Sequence, residues 1–382
     1  MNILIIGADG YMGWPLACQL FLDDSVKNIT LVDNLITRRK VNNVGSNSLT
    51  PISSFNKRSK VFSEIHKNKA RFIRGSVTNY KFINELVSNK YDVIYHLGHL
   101  RTAPYSMMSH KTCLETISNN EIGFLNIIWS LKERSKNTLL IKLGSFGAYA
   151  PVDGKIPEGD LTLGKSLTPF PKDANDFYHI TKANDSLFAR AACRNWNLKI
   201  IDVMQSTVFG VETESTKQIN EFTRFDYDEI YGTVLNRFIL QASANLPLTI
   251  YGGGKQSSGI MVLRDAINVL NKLKDFDIHS GSYQVINNNP KSYKILDLAQ
   301  KVKNAFDARG KDTVFNTTDF DPRNESKNNS NISTTAECDF MEKNISVTNI
   351  DNEITNVIDV IDPFISNRII HSVINPTLEW NK

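Results

Sequence analysis

No stretch of this chain approaches the roughly 20 consecutive apolar residues that a bilayer-spanning helix needs, which points away from a helical membrane protein. Cysteine is scarce. Cys18, Cys113, Cys193 and Cys338 stand far apart, with no C-x-x-C and no His at ligand spacing, so neither a disulfide framework nor a metal site is expected. Charge of one sign is lacking as well: the formal net charge is +4 over 382 residues, with no basic arm to serve nucleic acid or a membrane surface. A small anionic substrate remains compatible with it. The first strand-like run begins at residue 2, leaving no room for a signal peptide, and the chain reads as cytoplasmic. N-x-S/T matches such as Asn344-Ile345-Ser346 then follow from an Asn-rich composition.

What is present is an ordinary globular composition, 41% apolar and 22% charged, enough for one large domain or two closely joined ones. Short β-branched-rich runs occur at 2–7, 29–33, 70–75, 92–98, 138–145 and 198–204, separated by amphipathic helical stretches. This is the pattern of βαβ crossovers, so the expected fold class is α/β: a Rossmann-type doubly wound parallel sheet. A first domain is expected over 1–210, with a further strand near 283–288. A smaller C-terminal domain is expected mainly over 211–382. Within it, the Asn- and Ser-rich stretch 324–356 reads as an exposed loop.

After the first run comes GADGYMG, in which Gly7, Gly10 and Gly13 open into a helix. Glycines let the backbone turn tightly and approach a pyrophosphate, and the helix N-terminus stabilises its charge. About 20 residues further on, the second run ends in Asp33, whose carboxylate can accept hydrogen bonds from ribose hydroxyls and would repel a 2′-phosphate. The pair reads as an NAD site, although Arg38 and Arg39 stand close by.

Tyr178 and Lys182, four apart, share a helix face, and Ser145 ends the run that should lie beside them. In such a triad a nearby ammonium and the positive nicotinamide lower the phenol pKa from about 10 toward neutrality. The phenolate takes a proton from a sugar hydroxyl while the carbon gives hydride to the cofactor, and Ser145 orients the hydroxyl.

At these residues the chain resembles the extended short-chain dehydrogenase/reductase family, the NAD-dependent epimerases and dehydratases, and within it the UDP-sulfoquinovose synthase branch. DGYMGWPLA (9–17), VDNLITRR (32–39), SLTPI (48–52), RTAPYSM (101–107), NNEIGFLN (119–126), FYHITK (177–182), YGTVLNRF (231–238) and PLTIYG (247–252) carry the likeness along nearly the whole chain. The resemblance implies bound NAD contacted by Gly7, Gly10, Tyr11, Met12, Gly13, Asp33, Asn34, Arg38, Ser76, Leu97, Asn119, Tyr178, Lys182, Gln205 and Val208. It implies a UDP-sugar held by Arg101 and His99 of the first domain and by Asn236, Arg237, Arg264 and Arg323 of the C-terminal, substrate-binding domain. It further implies a homodimer built as a four-helix bundle, for which Leu125, Ile128, Leu187 and Ala191 would supply the face.

The branch reaction oxidises C4 of UDP-glucose, which acidifies the C5 proton; water leaves from C6, sulfite adds to the alkene, and C4 is reduced again. By resemblance, His179 protonates the leaving hydroxyl, a role suited to imidazole near neutral pH. Several positions depart from the branch. Ala148 replaces a Glu, His99 and Leu100 replace Glu and Gln, Ser76 replaces an Asp, Ser258 replaces an Arg, and NESKNNSN (324–331) replaces an acidic, Tyr-rich segment. Two functional readings therefore stand. One is a divergent sulfoquinovose synthase in which Arg101 and a protonated His99 attract sulfite. The other is a UDP-sugar 4-epimerase or related enzyme that uses no sulfite and needs only Ser145, Tyr178 and Lys182. A non-catalytic NAD-binding protein is the third.

Overall fold

The computed structural model describes residues 1–318 and 334–374. The seven runs read as strands form one sheet: β1 (Asn2–Ile6), β2 (Asn28–Asp33), β3 (Ala70–Arg74), β4 (Val93–His96), β5 (Leu139–Leu143), β6 (Lys199–Gln205) and β7 (Tyr283–Asn288). Every neighbouring pair is parallel, and the order across the sheet is β3-β2-β1-β4-β5-β6-β7. Successive side chains of a strand point to opposite faces. Accordingly Ile3 and Ile5 enter one core with Tyr95 and Ile141, while Leu4 and Ile6 enter the other with Ile94 and Leu140. Helix α1 (Gly13–Leu22) covers the first face; α2 (Gly123–Arg134) and α3 (Phe177–Trp196) cover the second. Strands buried on both faces are mainly apolar, as β1 and β4 are, and the buried charges of the central strands are paired, Lys142 of β5 with Asp202 of β6 at 2.7 Å.

The order reverses between β1 and β4, and in open α/β sheets ligands settle outside the strand ends at such a point. Gly7, just past β1, and Leu97, just past β4, meet there: a Cβ on Gly7 would lie 2.5 Å from the Leu97 carbonyl carbon.

A separate core gathers Leu235, Phe238 and Ile239 with Leu298, Val302, Ile354, Val357 and Ile361. It joins the helices Val234–Ser243, Ile295–Asp307 and Ile350–Arg368. The chain enters this second body after Phe209 and returns to the large sheet for β7 before leaving again. It returns once more at Cys338 and Met341, which pack into the α1-side core.

The expectation of a loop over 324–356 is corrected in its described part. Residues 334–336 form a strand beside Gly154–Ile156, Asp339–Asn344 is helical, and the helix Ile350–Arg368 begins inside the stretch. The Asn-rich composition concealed apolar residues at helical spacing, Ile350, Ile354, Val357, Ile358 and Ile361, all buried. Among the described residues no helix is long and apolar enough to cross a membrane.

Candidate active site

The glycine turn is shaped by what a side chain would strike. Gly7 has φ 91°, a left-handed backbone, and a Cβ on Gly13 would lie 2.0 Å from the Gly7 carbonyl oxygen. The turn therefore lets the α1 N-terminus open directly into the crevice. Asp9, inside the turn, is clamped by two guanidiniums, Arg38 at 2.6 Å and Arg58 at 2.7 Å. Arg58 also covers the Trp14 ring, 4.0 Å from its centroid. The Asp33 carboxylate accepts from the backbone N–H groups of Asp9 and Leu35, at 2.9 and 2.6 Å. Burial, with the Asp9 charge next, raises its pKa to about 6.

The segment after β4 is tied down by a wide π-type turn, Ser118–Ile122, ahead of α2. Asn119 Nδ2 donates to the Gly98 carbonyl at 3.0 Å. Asn120 accepts from the Leu100 N–H at 2.8 Å and donates to Thr181 Oγ1 at 3.0 Å. Asn120 thus links the β4 loop to α3. Such turns recur at functional sites. Arg101 donates to Asp226 and, at 3.1 Å, to the Tyr231 carbonyl. Thr102 beside it has φ 103°, a strained backbone for a non-glycine residue.

Helix α3 carries the remaining groups. Its N-cap, Asp176, accepts from the His179 N–H at 2.9 Å, and its other oxygen bonds His179 Nδ1 at 2.6 Å. The His179 ring lies against Gly147, where a Cβ would come within 2.6 Å of Nε2, and 4.8 Å from the Tyr178 ring, centroid to centroid. Lys182 is buried; its Nζ donates to the Leu143 carbonyl at 2.6 Å and stands 5.7 Å from the Tyr178 ring centroid. Burial pulls the Lys182 ammonium down to about 7, and Asp185 is the first of the groups opposing it. Burial, with Asp176 next, raises the Tyr178 phenol above its ordinary value, and Arg101 works in the opposite direction. Ionising this phenol therefore requires positive charge close by.

One cleft brings most of these residues together. Gly7, Gly10, Tyr11, Met12, Gly13, Asp33, Asn34, Leu97, His99, Arg101, Tyr178 and Lys182 line it together, and Thr37, Gly75, Val77 and Leu143, which sequence reasoning missed, complete the wall. Ser145 is buried two residues beyond Leu143. Ser76 accepts from Asn34 Nδ2 at 3.3 Å, so it stands behind the lining. Gln205 is bonded to Asn288 at 2.7 Å, and Val208 lies in the α1-side core. Asn236 donates to the Asp226 carbonyl at 2.7 Å, Arg237 lies 5.1 Å from the Tyr251 ring centroid, and Arg264 pairs with Glu353 at 2.7 Å. Arg323 lies outside the described residues.

A protonated, sulfite-attracting His99 is corrected. Its ring is buried, bonds Asp185 at 2.9 Å, and burial, reinforced by Lys182, holds its pKa well below the ordinary imidazole value. It is neutral near pH 7. Ile128, expected on an outer helix face, is also corrected: it is 1% exposed and packs toward the sheet.

A doubly wound sheet whose crevice joins a glycine cradle, an acidic β2 end and a helical Tyr-x-x-x-Lys defines a dinucleotide-dependent enzyme of the short-chain dehydrogenase kind. The chain belongs to the NAD dependent epimerase/dehydratase family, whose model matches residues 3–285. It is 35% identical to the chloroplastic UDP-sulfoquinovose synthase of Spinacia oleracea over 81% of this chain and 65% of that protein, so it spans slightly under two thirds of that relative. To UDP-sulfoquinovose synthase of Sulfolobus acidocaldarius it is also 35% identical, over 81% of this chain and 80% of the relative. The same fold occurs in UDP-glucuronic acid 4-epimerase from Bacillus cereus, solved with UDP-glucuronic acid and NAD. That structure has TM-score 0.69 and 21% identity, covering 95% of this chain and 99% of that one.

The cofactor is NAD, and the residues fit it. The cradle at Gly7 and Gly13 admits a pyrophosphate, Asp33 can take ribose hydroxyls, and Arg38, one of the two cations close to a 2′-phosphate position, is committed to Asp9.

Proposed function

We propose that this chain acts on a UDP-hexose by oxidation at C4 and later return of the hydride, in the manner of a UDP-sulfoquinovose synthase. Bound NAD would accept and return the hydride. Tyr178 removes the proton of the C4 hydroxyl, Ser145 orients that hydroxyl, and Lys182 supplies the charge that makes the phenolate accessible. Arg101 lines the cleft and is tied to Asp226, whose carbonyl Asn236 holds, which supports a role for this part of the second body in sugar binding. The observation that carries the reading beyond C4 oxidation is the Asp176–His179 couple beside Tyr178. With Nδ1 held by a carboxylate, Nε2 is the ring nitrogen that would exchange a proton with substrate in this reading. A 4-epimerase needs no such group. The two relatives at 35% identity support the same reading.

The geometry also favours a second reading at one point. Arg101 is committed to Asp226, His99 is neutral, and the residue at 148 is alanine, so the charge that would draw sulfite is diminished. That suits a UDP-sugar 4-epimerase. Incubation with UDP-glucose, with and without sulfite, followed by product mass and C4 stereochemistry, separates the two: a sulfite adduct supports the first, an isobaric C4 epimer the second.

If His179 donates a proton at O6, His179→Ala should bind NAD and oxidise the sugar normally but slow the following step by about a hundredfold, a usual scale for general acid catalysis. Reduced-nicotinamide absorbance should then build up on mixing with UDP-glucose. Normal turnover with no build-up would leave His179 as packing alone.

We further propose a homodimer. Leu114, Ile122 and Trp129 on the segment leading into and along α2, and Phe177, Ile180 and Leu187 on α3, are exposed apolar residues, Leu187 at 53%. Two neighbouring helices with such faces suit a four-helix bundle with a second copy. Parent protein should sediment as a dimer at micromolar concentration and Leu187→Asp as a monomer; a monomeric parent would remove the proposal. The four thiols are unpaired, as a reducing compartment leaves them, which supports a cytoplasmic setting.

A further inference from the structure

Beneath the cleft lies a buried ionisable cluster that C4 oxidation does not use directly. Asp185 follows Lys182 by one turn on α3, is 0% exposed, and has His99 as its hydrogen-bond partner, Nε2 to Oδ2 at 2.9 Å. Among the described residues its Oδ1 has no hydrogen-bond partner. The His99 ring lies tilted beside His96, with centroids 4.2 Å apart, and among the described residues neither ring nitrogen of His96 is bonded. His99 is thus the group that satisfies Asp185, and it also reaches the cleft wall.

We propose that His99 is a positioning residue which, by donating Nε2–H to Asp185, keeps that carboxylate ionised and so keeps Lys182 charged beside Tyr178. The inference rests on the reading that Tyr178 and Lys182 act together as the base.

The argument is one of competing costs. A buried carboxylate without a donor takes up a proton, because burial disfavours its charged form. Burial already holds Asp185 at about 7, with the ammonium groups of Lys142 and then Lys182 opposing the rise. Asp185 in turn is the first group opposing the fall of Lys182. The other charged groups around the cluster are in place on each neighbouring element. Lys142 on β5 is engaged by Asp202 on β6 at 2.7 Å, and Asp202 also accepts from Ser186 and from Tyr283 on β7. Glu121, in the wide turn ahead of α2, bonds Asn184 at 2.8 Å. Lys172 lies over the Tyr149 ring, and His96 ends β4. Asp202, engaged by Lys142, also supports Lys182, but less than Asp185 does.

The sign follows. Removing the His99 donor raises Asp185 further, so that a larger share of it is neutral near pH 7; Lys182 then loses part of its main support and its midpoint falls. In NAD-loaded protein with 15N-labelled lysine, the Lys182 Nζ resonance, assigned by its absence in Lys182→Arg, reports the midpoint without any sugar. His99→Phe should lower it by about one pH unit, and His99→Gln, which restores an N–H donor, should return it to within about 0.3 unit of the parent. Asp185→Asn keeps the shape, removes the charge, and should lower it at least as far as His99→Phe. An unchanged Lys182 midpoint in Asp185→Asn, or in a folded His99→Phe, overturns the proposal. C4 oxidation surviving in Tyr178→Phe would instead overturn the reading on which it rests, so the two failures are told apart.

Discussion

Tyr178→Phe should bind NAD as the parent does and yet reduce it with UDP-glucose slower by about a hundred- to ten-thousandfold, the range that a positioned acid–base group supplies. The substitution removes one oxygen from a side chain lining the cleft and leaves Tyr178 N–H bonded to Ser106 at 3.1 Å, so the N-terminal turn of α3 keeps its anchor. Binding should be spared because the glycine cradle and Asp33, which would hold the pyrophosphate and the ribose, are untouched by the change. The loss therefore falls on the rate of hydride transfer rather than on cofactor affinity. Stopped-flow absorbance of the nicotinamide, with NAD affinity measured separately, distinguishes the two. A rate within threefold of the parent would show that some other group takes the C4 proton.

Asp9→Ala is expected to cost about 3–5 kcal/mol of stability, the scale for leaving a buried charge unpaired. Arg58 is 1% exposed at its side chain and has two described anchors, Asp9 and the Phe222 carbonyl at 2.8 Å; Arg38 is 23% exposed and can partly hydrate. The cost should therefore be borne mainly through Arg58. Urea unfolding of parent and variant gives the number directly. An additional Arg58→Met should recover part of the loss, because a methionine at that position needs no counter-charge. A destabilisation below about 1 kcal/mol would mean that water reaches Arg58 and replaces the carboxylate.

Much of the fold was legible because its signals are local. Each strand of the large sheet is a short run with an apolar, β-branched-rich centre, and the glycines and Asp33 stand at the spacing that a crevice between β1 and β4 imposes. The helix Ile350–Arg368 was missed because its polar face, rich in Asp and Asn, outweighs in composition the Ile and Val positions that bury it. In the site, residues in sequence-local patterns meet in one cleft: the glycines, and Tyr178 with Lys182. Those that matter through distant pairing were not seen. Asp9 with Arg58, Arg101 with Asp226, and His99 with Asp185 are separated by 49, 125 and 86 residues, and nothing in local spacing marks such partners. His99 was consequently assigned a charge that burial denies it. Asp176 was the exception within reach, since an Asp three residues before a His at a helix start is a readable cap.

The repeated passage of the chain between the two bodies has a mechanical consequence. A single connecting strand would leave a hinge, but here the backbone crosses after Phe209, returns for β7, leaves again, and comes back at Cys338 and Met341 before the last helix. Rotation about one crossing is resisted by the others, so opening the cleft as two rigid jaws would shear several connections at once. Sugar entry should then involve short local segments at the rim, while the cofactor side stays fixed. Such a frame suits a reaction in which the hydride taken from the sugar has to be handed back before anything leaves.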